Sequence, residues 1–469
     1  MTIARDLARF SRNLKFKDLP PEVVHEAKRA VLDMFGCTIG GYSGDASRIA
    51  REVMGEWGGG RDATVIGSGA KTSCLNAIMV NGIMLRYLDF NDTYLIPVGN
   101  LVLGNHPSEL IPTVLALGER EGTNGRDMIA TIVMGFELSA RFNDCCAVPG
   151  VPKPTIETKG FNTDSRGVFV MPIVAGRMLK LTEAQMEQAL GISGSAGPIL
   201  GILDATGEEY SMTKNLRFPR TAYGGTMAAI LAKRGYTGPS RVFEGNKGFI
   251  ESVMQGDFNI PDLTRPISRY KILDTMYKAV AADATTHGHV NATLALVKEH
   301  DIKPEDVVKV NVKAGSRCVE HTGDPVKRYP KNKESADHSS YYLTAISIFD
   351  RRVGPAQYTP KKWNNPKVLA MIDKVTFEAD PSLDQFGRAG ISEIHLKNGQ
   401  VVTKRVEYPA GDPKNPMSDT ELEDKLRGMA EPYMSKKRID NLIATIHAFD
   451  KLETVEPLMK AAKFDRKPT

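Results

Sequence analysis

From Pro20 to about Lys233 the chain is a succession of helix-periodic apolar runs punctuated by glycine: PPEVVHEAKRAVLDMFGCTIGGY, DMIATIVMGFELSARF, FVMPIVAGRMLKL, LTEAQMEQALGISGSAG and TAYGGTMAAILAKRGYTGP. These runs are apolar over more than one face, as helices packed inside a multi-helix domain must be. After Pro261 the texture changes. Val307 to Gly315, Lys374 to Asp380 and Ile391 to Tyr408 alternate apolar and polar residues and favour β-branched types, the pattern of half-buried strands. The last of them carries Asn398-Gly399, a strong hairpin signal. Helical stretches (HVNATLALVKEH, SSYYLTAISIFD, NNPKVLAMIDK) lie between the strands. The expected fold is therefore mainly α with a smaller α+β domain. From Ser418 a capping signature opens further helices, which either extend the small domain or return to the helical one.

At 469 residues the chain can bury a large core, and two domains are expected rather than one. Hydrophobic residues make up 41% and charged residues 25%, which points away from disorder. No apolar run reaches the ~18 residues of a spanning helix, and the N-terminus breaks every turn with charge, unlike a secretory signal; no membrane partner and a cytoplasmic location are expected. Cys37, Cys74, Cys145, Cys146 and Cys318 form no CxxC pair, so neither a disulfide framework nor a thiolate metal site is indicated. The formal net charge of +5 is mild and no basic run is interleaved with aromatics, so no nucleic-acid partner is expected.

Chemistry concentrates between Asn81 and Leu110, where one apolar helical run ends on acids and another begins after a histidine. Asp89, Asp92, Thr93 and His106 fall at this helix–helix junction. Pro107 suits the first turn of the second helix, which leaves a junction of roughly a dozen or more residues, longer than most helix–helix connections. An imidazole oriented by a carboxylate is an acid/base arrangement; helix capping explains the same residues in a purely structural way. Two acids in Asp89-Phe90-Asn91-Asp92, without a second acidic motif, do not make a magnesium site.

Ser211 to Arg220 packs Lys214, Arg217 and Arg220 ahead of an apolar helix, a setting for a carboxylate or phosphate and equally for a solvated basic turn. Thr285-Thr286-His287-Gly288-His289 places two histidines at i and i+2, which do not share a helix face and so make a poor zinc pair. One of them as a proton donor is the functional alternative to packing. Gly191 to Pro198 is glycine-rich but has neither nucleotide-loop spacing.

In order along the chain, these segments resemble the MmgE/PrpD family. The matching pieces are LPPEVVHEAKRAVLDMFGCTIGGY, NAIMVNGIMLRYLDFNDT with HPSELIPTVLALGE, TKNLRFPRTAYGGTMAAILAKRGYTGP with FEGNKGF, YKAVAADATTHGHVNATLAL and DHSSYYLTAISIFD. The resemblance implies a large all-helical domain built from both ends of the chain, expected over residues 1–267 and 411–469, with an α+β lid over 268–410. It also implies a homodimer, an active site between helical domain and lid, and no metal or organic cofactor. By the same resemblance the catalytic positions fall on Asp89, His106, Lys214 and His287, the last nine residues beyond Lys278, and a substrate-holding threonine on Thr93.

Three departures accompany the match. Asn162, in Lys159-Gly160-Phe161-Asn162, stands where an imidazole is expected, and it cannot shuttle protons at neutral pH. Arg217 follows Leu216 where the family has a histidine, a permanent cation in place of a titratable ring. The junction between Thr93 and His106 is enlarged by VGNLVLG or similar residues. With Arg166, Arg217 and Arg220 as carboxylate binders, alongside Thr93 and Asn162, the expected activity is a lyase, by preference a dehydratase, acting on a small di- or tricarboxylate. Lys214 and His106 are expected to transfer protons, with Asp89 orienting one of them and His287 completing the site from the lid. The alternatives are decarboxylation, epimerisation, or a relative that binds without turnover.

Overall fold

The computed structural model describes residues 2–98, 101–148, 150–151 and 153–466. The fold class is the one the periodicities imply: mainly helical, with small sheets of two to four strands. Pro21–Gly40, Cys74–Tyr87, Ile111–Glu121, Gly125–Cys146, Gly167–Met178 and Arg217–Lys233 pack as one helical body. Small residues let these helices approach closely. At Gly225, on Arg217–Lys233, an added Cβ would stand 2.7 Å from the Met171 side chain of Gly167–Met178.

Strands Val307–Ala314, Val375–Ala379, Gly390–Leu396 and Val401–Val406 form a single mixed sheet. Val307–Ala314 runs parallel to Val375–Ala379 and antiparallel to Gly390–Leu396, which closes a hairpin with Val401–Val406. Val310, Val312, Val375, Ile394 and Val402 are buried on this sheet. Helices His287–Glu299 and Ser340–Asp350 pack against its strands and each other. The start of the first helix lies almost on the sheet backbone: a Cβ at Gly288 would be 2.2 Å from the Arg388 carbonyl.

The C-terminal helix Asp419–Ala430 opens with a capping box between Ser418 and Glu421, which satisfies donors at its first turn. It lies on Pro21–Gly40, where a Cβ at Gly36 would be 3.2 Å from Leu426 Cα. Its Lys425 donates to Asp33 Oδ1 (2.6 Å) and to the carbonyls of Phe90 (2.6 Å) and Lys278 (2.9 Å). One ammonium thus ties the N-terminal, junction and post-261 segments beneath the site. Among the described residues no helix is long and apolar enough to cross a membrane.

The junction between Thr93 and His106 is not an irregular loop. Tyr94–Val98 and Leu101–Asn105 pair as an antiparallel hairpin, with residues 99–100 of its connection outside the described residues. The two-residue Gly-Asn spacing between apolar runs is a hairpin signal that the surrounding helical periodicity overshadows.

Candidate active site at the seam

Asp89 owes its position to how its helix ends. Cys74–Tyr87 is capped at its start by Ser73, whose side chain accepts from the Asn76 N–H. Past its end Asp89 adopts φ +48°, a left-handed conformation that aspartate tolerates better than most residues. The turn brings the carboxylate back onto Arg86 of the same helix, which pairs with Asp89 Oδ1. Lys278 donates to Asp89 Oδ1 at 2.7 Å and to its carbonyl at 3.0 Å, and Lys214 lies 3.2 Å from Oδ2. Burial by itself would raise the Asp89 pKa, but Arg86, Lys214 and Lys278 overcome it and hold the carboxyl well below the usual range.

Lys214 is fully buried between Asp89 and Asp337, 3.4 Å from the latter. Burial pulls its pKa down to about 8 against the attraction of Asp337 and Asp89. Asp337 also takes Lys333 at 2.6 Å and the Nδ1 of His338 at 2.5 Å. Burial raises the Asp337 pKa, yet Lys214 and Lys333 bring it to about 2. His338 in turn reaches Asp89 Oδ2 through Nε2 at 3.3 Å. Its ring lies 4.3 Å from that of Tyr210.

In front of this cluster is a cavity of about 460 Å³, a size suited to a small ligand. Thr93, Leu95 and Gly104 of the hairpin region, then His106, form one wall; Asn162, Asp164, Asp204 and Arg217 form another. Asp283, His321 and His338 line it from the segments after residue 261, and Arg86 lines it as well. The hairpin is tied to those segments by reciprocal bonds between Thr93 and Met276, 2.8 Å and 2.9 Å.

His106 is held by Nδ1, which donates to the Asp92 carbonyl at 2.6 Å. That bond fixes the tautomer and leaves the Nε2 lone pair free to accept. Burial, then the positive charges of Arg86 and Lys278, push the His106 pKa well below its usual value, so the ring is a neutral base. The Asp92 carboxylate accepts the Ser108 N–H at 3.2 and 3.1 Å and so caps the turn after His106.

Burial pushes the Asp92 pKa up to about 7. A carboxyl raised in the folded state contributes stability below its unfolded pKa, and loses it as pH rises through the folded value. The stability of wild type relative to Asp92→Asn is therefore expected to fall between pH 5 and pH 8. Urea unfolding of both proteins at the two pH values measures this, and an unchanged difference contradicts it.

Thr93, His106, Asn162 and Arg217 thus line the cavity, while Asp89 and Lys214 sit one layer behind, reached from it through His338. His287 is completely buried at the start of its helix, not on the cavity wall, and burial lowers its pKa to about 3. Arg166 is buried against Asp164 (2.5 Å) and over the Phe218 ring. Arg220 is exposed and does not line the cavity. Asn162 donates to Asp204 Oδ2 at 2.5 Å and accepts the Asp164 N–H at 2.8 Å, so it fixes the acids that hold Arg217.

Sequence reasoning missed Arg86, Asp204, Asp283, His321 and the Asp337-His338 pair. The last had a readable signal, an acid and an imidazole directly before a helix, the feature that singled out His106. His321 lies in the short helix Ser316–Thr322 and had none. Donor atoms of Asp283, His321 and His338 lie within 4.8 Å of one another, as do those of Asp89, Asp337 and His338. In the second set both carboxylates already carry lysines.

A helical body joined to an α+β unit, with a polar cavity at the seam and a buried lysine–carboxylate cluster behind it, defines a two-part architecture with its candidate site between the parts. Residues 5–261 match the MmgE/PrpD N-terminal domain and residues 280–450 the MmgE/PrpD C-terminal domain. The chain belongs to the MmgE/PrpD family. It is 24% identical over 480 residues to human (Homo sapiens) cis-aconitate decarboxylase, covering 98% of this chain and 95% of the relative. Cis-aconitate decarboxylase of Aspergillus terreus strain NIH 2624 is also 24% identical, with the same two coverages. The 2-methylcitrate dehydratase of Cupriavidus necator is 21% identical over 418 residues, 82% of this chain and 81% of the relative.

Proposed function

We propose that this protein is a lyase acting on a small di- or tricarboxylate, with His106 as the group that takes a proton from the carbon next to a carboxylate. One observation carries the reading: the neutral imidazole, anchored through Nδ1 to the Asp92 carbonyl at 2.6 Å, stands in a cavity wall that also contains Arg86 and Arg217. Guanidinium groups bind a carboxylate and stabilise the charge that builds on it as the proton leaves. In a dehydration the carbon–hydrogen pair becomes the new double bond, and hydroxide departs from the neighbouring carbon. The imidazolium returns its proton to that hydroxide as water.

Thr93, Asn162 and Arg217 are the substrate-holding groups in this reading. Lys214, Asp89 and His287 act from behind the wall as positioning groups, and Arg166 through Asp164. Decarboxylation is the second reading, favoured by the decarboxylase relatives, which match nearly the whole chain where the dehydratase matches less of it. The division into residues 1–267 and 411–469 around an α+β unit at 268–410 and a homodimer belong to the same proposal and rest on the family resemblance; a cytoplasmic location belongs to it too and rests on the charged N-terminal turns.

The test is proton NMR of a polycarboxylate panel in deuterated water, including citrate, 2-methylcitrate and cis-aconitate. Elimination or carbon dioxide loss is expected for at least one member. Deuterium entering recovered substrate with inversion and no new double bond would make the protein an epimerase. An unchanged panel with ligand-dependent thermal stabilisation would make it a binding protein.

A further inference from the structure

One guanidinium in the cavity wall is uncommitted. Arg317 lines the cavity together with Arg86, Lys153 and Arg217. Arg86 is paired with Asp89 and Glu109, and Arg217 with Asp164 and Asp204, so each meets a ligand with the donors those bonds leave over. Lys153 has Glu320 at 3.9 Å. Arg317 is half-buried and, among the described residues, makes neither an ion pair nor a hydrogen bond.

The backbone that carries it is nevertheless held firmly. Arg317 belongs to the short helix Ser316–Thr322, whose start is tied to Asp384: the Ser316 N–H donates to Oδ1 at 2.6 Å and the Ser316 hydroxyl to Oδ2 at 2.9 Å. At the other end the Thr322 and Ser340 hydroxyls are 2.7 Å apart. Arg317, Glu320 and His321 all line the cavity, and their spacing of i, i+3 and i+4 is that of one helix face. Burial works against the charge on Arg317, but Glu157, Asp204 and Glu320 more than offset it. These acids keep the guanidinium ionised without closing on it, and Asp204 already holds Arg217.

A guanidinium offers five N–H donors and is costly to take out of water without acceptors. The partner that fits its planar fork is a carboxylate, through two parallel hydrogen bonds. Arg86 and Arg217 lie on Cys74–Tyr87 and Arg217–Lys233, in the helical body, whereas Arg317 comes from the segments after residue 261. A ligand gripped from both parts needs two anionic groups.

We propose that Arg317 binds a second carboxylate of the substrate, so that the site selects di- and tricarboxylates over monocarboxylates. The inference rests on the polycarboxylate reading: Arg86 and Arg217 hold the carboxylate beside the reacting carbon, and Arg317 holds a distal one.

The probe is tricarballylate, a tricarboxylate with neither hydroxyl nor double bond, titrated calorimetrically into the full-length protein. Arg317→Gln should weaken binding about 10–100-fold, the range of hydrogen bonds to a charged group. Arg317→Lys, which keeps the charge and loses the fork, should fall between it and wild type. Lys313→Gln, at an exposed position of the strand Val307–Ala314, should leave binding unchanged and controls for net charge. Melting curves check that each variant folds, and Arg317→Lys decides if Arg317→Gln does not. On whichever polycarboxylate turns over, Arg317→Gln should raise KM and spare kcat, as loss of binding common to ground and transition states does; this split decides if tricarballylate does not bind. Affinity and KM within about twofold of wild type in the folded variants overturn the role of Arg317 and leave the polycarboxylate reading standing. A wild type that neither binds tricarballylate nor turns over any member of the panel removes both.

Discussion

Replacing Asp89 by asparagine is expected to lower the free energy of unfolding by about 3–5 kcal/mol, the cost of breaking a buried ion pair by removing one partner. The side chain keeps its shape, so packing changes little. What is lost is the charge that Arg86, Lys278 and Lys214 share, and those cations remain out of water with only Glu109 and Asp337 beside them. Lys214→Met should cost less, because Asp89 keeps Arg86 and Lys278 and Asp337 keeps Lys333. The double variant should then cost clearly less than the sum, since each change removes the charge the other leaves unpaired. Urea unfolding followed by circular dichroism measures all three. An Asp89→Asn protein within about 0.5 kcal/mol of wild type, the range of ordinary surface substitutions, would show that the cluster does not bear on stability.

This bears on how activity is tested. As sequence alone presents it, Lys214 is a lysine expected to transfer protons. The structure puts it wholly inside the molecule, so a loss of activity in Lys214→Ala could follow from a loss of fold.

How much of the site is legible in the sequence depends on how each residue is placed. Asp89 and His106 flank helices whose 3.6-residue periodicity is unmistakable, so their nearness to a cleft follows from local pattern. The layers of the site do not. That Lys214 and His287 are buried while Thr93 and Asn162 face the cavity depends on how helices from distant parts of the chain cross. No spacing rule encodes that. Arg220 shows the same limit. It lies one turn beyond Arg217 on one helix and reads as its equivalent, yet Arg217 turns to Asp204 and Asp164 while Arg220 faces solvent. Asp283 and His321 meet only because a turn and a short helix from separate stretches converge. The sheet, by contrast, is nearly all visible, because alternation and Asn398-Gly399 are local signals.

His106→Gln is expected to reduce turnover by about 10²–10⁴-fold, the usual contribution of a positioned acid/base group. Stability should hardly move, since His106 is only partly buried and lies outside the ion cluster. The loss should fall on kcat with KM little changed, because binding depends on the arginines and Thr93, not on the ring. The pH profile adds a second reading. A base is active when unprotonated, and burial with Arg86 and Lys278 holds the His106 pKa well below its usual value. Protonation of His106 therefore should not slow wild-type turnover as pH falls from 8 to 6.5, where an ordinary histidine would begin to titrate. Arg86→Met changes the argument in a specific way: removing the positive charge beside the ring should raise the His106 pKa and move the acid limb of the profile upward. Steady-state rates of wild type, His106→Gln and Arg86→Met on whichever polycarboxylate turns over, measured across pH, test the assignment. A His106→Gln enzyme within threefold of wild type would remove His106 as the base and leave the proton to be taken from another wall of the cavity.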